Sequence, residues 1–147
     1  MKHITIKLIF QILWQLPQSI IGWGMLLYFM IVGKITPIYY YKETFVFEAS
    51  KMRGGISLGT IIIVSPNSNC NSTIRHEFGH VVDSKKFSWL YLIIIGIPSI
   101  IWAATYRKLG AKNYYQFYTE RRANNNGDKY VSFENNNYYK HFNPIKL

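Results

Sequence analysis

Two long uncharged blocks dominate the pattern of this chain. From Leu8 to Gly33 there is no charged residue, a stretch long enough to cross the ~30 Å hydrocarbon core of a bilayer at ~1.5 Å per helical residue. Pro17 and the glutamines Gln11, Gln15 and Gln18 interrupt it. Either an interfacial amphipathic helix up to Leu16 leads into a membrane helix over 19–32, or a single crossing is kinked. The second block, Phe87 to Tyr106, is broken in its middle by Gly96-Ile97-Pro98-Ser99.

Between the blocks the period changes. A tyrosine run, Tyr39 to Tyr41, has the composition of an interfacial belt. Thr44 to Glu48 and Gly54 to Val64 are β-branched and aromatic, are separated by a glycine-containing turn and stop at Pro66. They predict two strands within 43–66. The polar segment Asn67 to Thr73 offers capping side chains for a helix over 73–86. A further helix is predicted over 113–125, and the Asn- and Tyr-rich tail 126–147 has no periodicity. The sequence contains no internal repeat. At 147 residues the chain is predicted to be one domain of an α+β membrane protein. It is mostly helical, with a small β-hairpin or sheet beside the helix over 73–86 and membrane segments over 1–38 and 87–106.

Charge sharpens this picture. Lys and Arg outnumber Asp and Glu by 17 to 7. Seven of these cations flank the apolar blocks (Lys2 and Lys7, Lys34, Lys85 and Lys86, Arg107 and Lys108), and the basic residues do not gather into one stretch. This predicts contact with lipid head groups and no nucleic-acid partner. Cys70 is the only cysteine, so no intrachain disulfide forms. The N-terminal stretch runs past Pro17 without an Ala-x-Ala-like site and is expected to be retained. Asn71-Ser72-Thr73 fits the glycosylation pattern, which matters only on a eukaryotic secretory route.

His76-Glu77-Phe78-Gly79-His80 is an H-E-x-x-H sequence. Residues four apart share a helix face, so both imidazoles can reach one tetrahedral Zn²⁺. Glu77 is then the general base, beside a water whose pKa the ion lowers towards ~7. The third ligand must come from elsewhere. A metzincin would have Gly at position 83 and His at 86, where this chain has Asp83 and Lys86. Glu120, in Phe117-Tyr118-Thr119-Glu120-Arg121-Arg122-Ala123-Asn124, is one candidate. Asp83, two turns beyond His76, is a rival ligand or an outer partner of one, and His141 in the tail is another.

On these two motifs the chain resembles the gluzincin metallopeptidases, and among them the membrane-embedded HtpX-type and prenyl-protein proteases with H-E-x-x-H followed by E-x-x-A-D. It also looks like uncharacterised small bacterial membrane proteins with H-E-x-G-H, G-x-P-S and F-Y-T-E-x-x-A-N. The likeness covers about fifty residues, Arg75 to Asn124. It implies a zinc cofactor, Glu120 as third ligand, and Asn124 in the place of the acidic residue that orients a ligating histidine. Asn in that place still accepts a hydrogen bond but lacks the charge that raises ligand basicity. The likeness also implies an edge strand that binds substrate by main-chain pairing, here Gly55, Ile56 and Ser57. The bland reading is a buried strand with glycines at bulges. Tyr114, Tyr115 and Tyr118 are candidate oxyanion donors or interfacial anchors.

A straight helix over 87–106 would leave His80 and Glu120 on opposite sides of a bilayer. The Gly96–Pro98 break therefore predicts a re-entrant hairpin with two short arms. The expectation is a membrane-embedded zinc metallopeptidase that hydrolyses peptide bonds in a membrane-associated or membrane-proximal substrate. Its expected location is a bacterial inner membrane, with the site on the cytoplasmic side. The alternatives are a non-catalytic membrane protein with a structural or vestigial zinc site, and a cationic surface protein with a chance motif.

Overall fold

The computed structural model describes residues 2–68 and 71–131. Among them the chain forms five α-helices and one four-stranded sheet, an α+β architecture. Helix α1 (Lys2–Trp14) and helix α2 (Leu16–Val32) meet at Gln15 with a bend of 102°. Pro17 sits in the first turn of α2, where its missing N–H costs nothing. Two of the glutamines that interrupt the apolar block, Gln15 and Gln18, tie the bend to the rest of the chain. Gln15 accepts from the Ser84 hydroxyl, and Gln18 donates to Ser84 Oγ and to the Ser88 carbonyl. Gln15, Gln18 and Ser84 are all buried.

Strand β1 (Ile35–Tyr41) pairs antiparallel with β2 (Thr44–Ala49). The tyrosine run expected as an interfacial belt is therefore part of a strand. The segment Gly54 to Val64, expected as one strand, is a hairpin of β3 (Gly55–Leu58) and β4 (Ile61–Val64). Gly59, at φ 63°, takes first place in its two-residue turn, which a side chain would strain. Strand β4 runs parallel to β2, giving the order β1-β2-β4-β3. Its four residues are all buried, as expected of a strand covered on both faces.

The two covers are helices. Leu26 and Phe29 of α2 pack with Ala49, Ile61 and Ile63 on one face of the sheet. On the other face, Ile74, Phe78 and Val81 of helix α3 (Asn71–Phe87) meet Val46, Ile62 and Val64. Their spacing of four and three puts those side chains on one stripe. Each such side chain contributes roughly 1.5–3 kcal/mol on full burial. Helix α5 (Tyr118–Tyr130) packs antiparallel on α3, with Gly79 against Ala123 and Gly127 against Arg75. Strand β3 remains an edge strand, and α3 packs beside it.

The second apolar block differs from expectation. After Ser88 (φ 51°) ends α3, the chain runs through Leu92–Thr105 as one helix, a π-helical turn over Leu92–Gly96 leading into α4 (Ile97–Thr105). It does not reverse at Gly96–Pro98. The π-turn and the placement of Pro98 just inside α4 absorb the proline. The Tyr118 hydroxyl donates to the Ile94 carbonyl, the acceptor that a regular helix would give to the amide hydrogen Pro98 lacks.

The reversal comes instead at 106–110, where Gly110 has φ 72° and Ala111 N–H donates to the Tyr106 carbonyl. The return segment lies back along the helix. Trp102 donates to the Tyr114 carbonyl at 2.8 Å and stacks on Phe117 at 4.8 Å. A helix–return hairpin with Arg107 and Lys108 at its tip thus brings α5 back to α3. Leu92–Thr105 would span about 21 Å at ~1.5 Å per residue, short of the ~30 Å core. Among the described residues no single helix is long and apolar enough to cross a membrane, although the bent α1–α2 pair has the combined length and composition. Large apolar side chains are exposed along α1, α2 and α4.

Candidate metal centre

His76, Glu77 and His80 lie on α3, and Glu120 lies in the first turn of α5. What lets the two helices approach closely is Gly79. A Cβ there would lie 1.8 Å from the Ala123 carbonyl oxygen, so no other residue fits without separating α5 from α3. The glycine inside the H-E-x-x-H motif is thus the contact that brings Glu120 within reach of the two imidazoles.

His76 Nε2 and His80 Nε2 lie 3.1 Å and 3.6 Å from Glu120 Oε2. One ligand atom from each residue falls within 4.8 Å of the others. Ligands at ~2.0–2.1 Å from a tetrahedral ion are about 3.3 Å apart, so both measured separations suit a shared ion. All three side chains are almost wholly enclosed, Glu120 completely.

The orientation of each group is fixed from behind. Ser99 Oγ and Thr119 Oγ1 donate to Glu120 Oε1, which leaves Oε2 to face the histidines. Asn124 Oδ1 accepts from His76 Nδ1 at 2.8 Å, which places the ring proton on Nδ1 and the lone pair on Nε2. Two acceptors, a ring nitrogen and a carboxylate oxygen, therefore converge at 3.1 Å. Such an arrangement calls for a proton or a cation between them. The Tyr115 ring packs edge-on to His76, 5.4 Å between centroids. His80 Nδ1 is buried and has no hydrogen-bond partner among the described residues.

The electrostatics of the cluster follow from this geometry. Burial alone would raise the Glu120 carboxyl, but hydrogen bonds from His76 and His80, the His80 charge and the Ser99 hydroxyl outweigh it and hold the group well below the usual carboxylate range. Burial disfavours charge on His76, yet its bond to Glu120, the Glu77 charge and Asn124 raise it above an ordinary imidazole. Burial raises Glu77, and the nearby His80 and His76 only partly offset this. A raised carboxyl is a stronger base than a solvated one.

His76, His80 and Glu120 line a cavity of about 180 Å³ together with Glu77, Tyr114 and residues of β3. A Cβ on Gly55 would lie 2.7 Å from Glu77 Oε1, so the absence of a side chain at Gly55 lets the edge strand pass directly beside that carboxylate. Ile56 and Ser57 continue the same wall. The buried Ser57 hydroxyl adjoins Glu77 and Tyr91. Tyr114 reaches Glu120 and Ser99; burial, and then the Glu120 charge, raise its hydroxyl and keep it a proton donor.

The buried His76–His80–Glu120 group can hold a metal ion. Asp83 stands apart from it. Its carboxylate forms a two-point ion pair with Arg122, at 2.7 and 3.2 Å, that fastens α3 to α5; it is neither a member of the cluster nor a partner of its histidines. Among the three tyrosines, Tyr114 lines the cavity, Tyr115 packs on His76, and Tyr118 serves the helix broken by Pro98. His141 lies outside the described residues. Sequence reasoning missed Ser99, Thr119, Tyr91 and the role of Gly79. The signal for Ser99 is that it carries the only hydroxyl between Leu92 and Ala104, masked by its place in the Gly96–Ser99 break. No protein-family model, curated protein or solved structure matches this chain.

Proposed function

We propose that this chain is a membrane-embedded zinc-dependent metallopeptidase of gluzincin type that cleaves peptide bonds in a membrane-associated or membrane-proximal substrate. The observation that carries the reading is the convergence of three acceptor atoms, His76 Nε2, His80 Nε2 and Glu120 Oε2, with the Glu77 carboxylate in the same cavity. Two nitrogens and one carboxylate oxygen suit Zn²⁺, leaving a coordination position for water or substrate. When bound, the ion supplies Lewis-acid polarisation of a carbonyl and lowers the pKa of water.

The residues of the chain do the rest. Glu77 takes the proton of the attacking water and delivers it to the departing amine. The free edge of β3, from Gly55 to Ser57, receives an extended peptide by main-chain hydrogen bonds. Tyr114 offers a neutral donor in the cavity for the carbonyl oxygen as it gains charge. A purely structural ion favours a fourth protein ligand; Asp83, the rival ligand on α3, is committed to Arg122, which supports the catalytic reading.

The apolar faces of α1, α2 and α4 are proposed to lie in the bilayer of a bacterial inner membrane, with the basic flanks and the site at its cytoplasmic surface. The test is cleavage of an unfolded membrane-protein substrate by the detergent-purified chain. Turnover that is abolished by a chelator, restored by zinc and absent in Glu77→Gln is expected. Equal turnover in wild type and Glu77→Gln refutes the catalytic assignment.

A further inference from the structure

A second and larger cavity, about 570 Å³, opens on the face of the sheet opposite α3. Trp23, Leu26 and Met30 of α2 form one wall, and Ile35 of β1 with Phe45 and Phe47 of β2 form the other. Its volume falls within the ~300–1,000 Å³ typical of small-molecule sites. The side chains that line it bring one neutral donor, the Trp23 indole, and one charge, Lys34. A peptide placed here would lose water from its backbone amides and find almost no partners, whereas a hydrocarbon chain would lose nothing.

The mouth of the groove indicates what the chain is attached to. Lys34 lies at the end where α2 gives way to β1, and Gly33 beside it is in contact range of Lys51, whose Cγ would stand 2.8 Å from a Cβ on Gly33. Both lysines are exposed, so two cations mark one end of an apolar slot. On the outer rim, Met30 and Trp23 are 60% and 43% exposed and continue into the exposed apolar face formed by Leu27 and Ile31. The slot therefore opens onto the surface proposed above to lie in lipid.

We propose that this groove binds one acyl chain of an anionic phospholipid, with the phosphate held between Lys34 and Lys51. The site lies apart from the metal-binding residues, and the proposal rests only on the membrane placement of α2. An occupied groove would fix the distance between α2 and the β1–β2 hairpin and would anchor the chain to the head-group layer at a defined depth.

The test is native mass spectrometry of the full chain released from mixed micelles containing equal phosphatidylglycerol and phosphatidylcholine. One phosphatidylglycerol retained per chain, in preference to phosphatidylcholine, is expected. Lys34→Ala and Lys51→Ala should each reduce the preference about fivefold, the ratio expected for one lysine at an anionic surface. Met30→Trp, which fills the slot from its exposed rim, should abolish retention without disturbing the core. Equal retention of both lipids by wild type, or retention untouched by all three substitutions, overturns the proposal. Co-sedimentation with pure phosphatidylcholine vesicles separates the two ways of failing. A chain that binds them without choosing phosphatidylglycerol in the micelles refutes the groove alone, and a chain that neither binds them nor retains phosphatidylglycerol refutes the membrane placement as well.

Discussion

Replacing Gly79 by alanine should remove metal binding without unfolding the protein. The added Cβ would stand 1.8 Å from the Ala123 carbonyl oxygen, and side-chain carbons essentially never approach closer than 3.0 Å, so the backbone of α5 must retreat by at least the difference, 1.2 Å. Glu120 lies three residues earlier on the same helix and moves with it. Metal–ligand distances tolerate only ~0.2 Å, so a shift of this size takes Oε2 out of the shared coordination sphere. Loss of one outer-shell contact already costs about 10–100-fold in affinity; displacement of a ligand should cost at least that. The packing penalty, roughly 1–3 kcal/mol for an overfilled contact, should leave a folded chain. Zinc affinity by competition with a chromogenic chelator, read beside helix content by circular dichroism, measures both. Gly24→Ala is the matched control: a Cβ there meets nothing within 4 Å, and it should be neutral or stabilising by up to ~1 kcal/mol. Wild-type zinc affinity in a folded Gly79→Ala chain would show that the Gly79–Ala123 contact does not position Glu120.

Ser99→Ala frees Glu120 Oε1 from α4 and should weaken zinc binding about 10-fold. Ser99→Thr should restore it, a pattern that a general packing defect would not give in chelator competition. Gly55→Ala pushes on the Glu77 carboxylate, so turnover should fall while zinc content stays at the wild-type level. Arg122→Ala leaves the Asp83 carboxylate buried without its partner and should lower stability to urea by roughly 2–3 kcal/mol. That is below the ~3–5 kcal/mol of a fully enclosed pair, because Arg122 is partly exposed. Protons compete with the ion for His76. Because its partners raise this imidazole, zinc affinity measured against pH should begin to fall above the ordinary imidazole value of about 6.5 and continue falling as pH drops. An affinity flat down to pH 5 contradicts that assignment.

How far the sequence was legible depended on the range of the interaction. The pair His76 and His80 could be read directly, because a spacing of four on a helix is a local rule. Glu120 and Asn124 came only through likeness to a known motif, since their approach to α3 depends on Gly79 meeting Ala123, a contact between residues 44 positions apart. Asp83 shares a helical face with His76, but seven residues at ~1.5 Å carry it about 10 Å along the axis, to where Arg122 waits. Gln15 and Gln18 interrupt the first apolar block, and their long-range role, binding the α1–α2 bend to Ser84 and Ser88, depends on residues about seventy positions away. The reversal assigned to Gly96–Pro98 moved to 106–110 because a π-turn accommodates a proline that local rules would read as a break. Tyr39 to Tyr41 suits a strand or an interface by composition, and that it forms a strand is visible only in its pairing with β2.

The central claim is tested most directly by counting zinc in the detergent-purified chain by elemental analysis, for wild type, Glu77→Gln, His80→Ala and Glu120→Ala under metal-replete conditions. About one zinc per chain is predicted in wild type and Glu77→Gln, with loss in the other two, because three ligands and a separate base are asked of the site. Wild type without zinc contradicts the metal centre, and zinc retained in Glu120→Ala contradicts the third ligand.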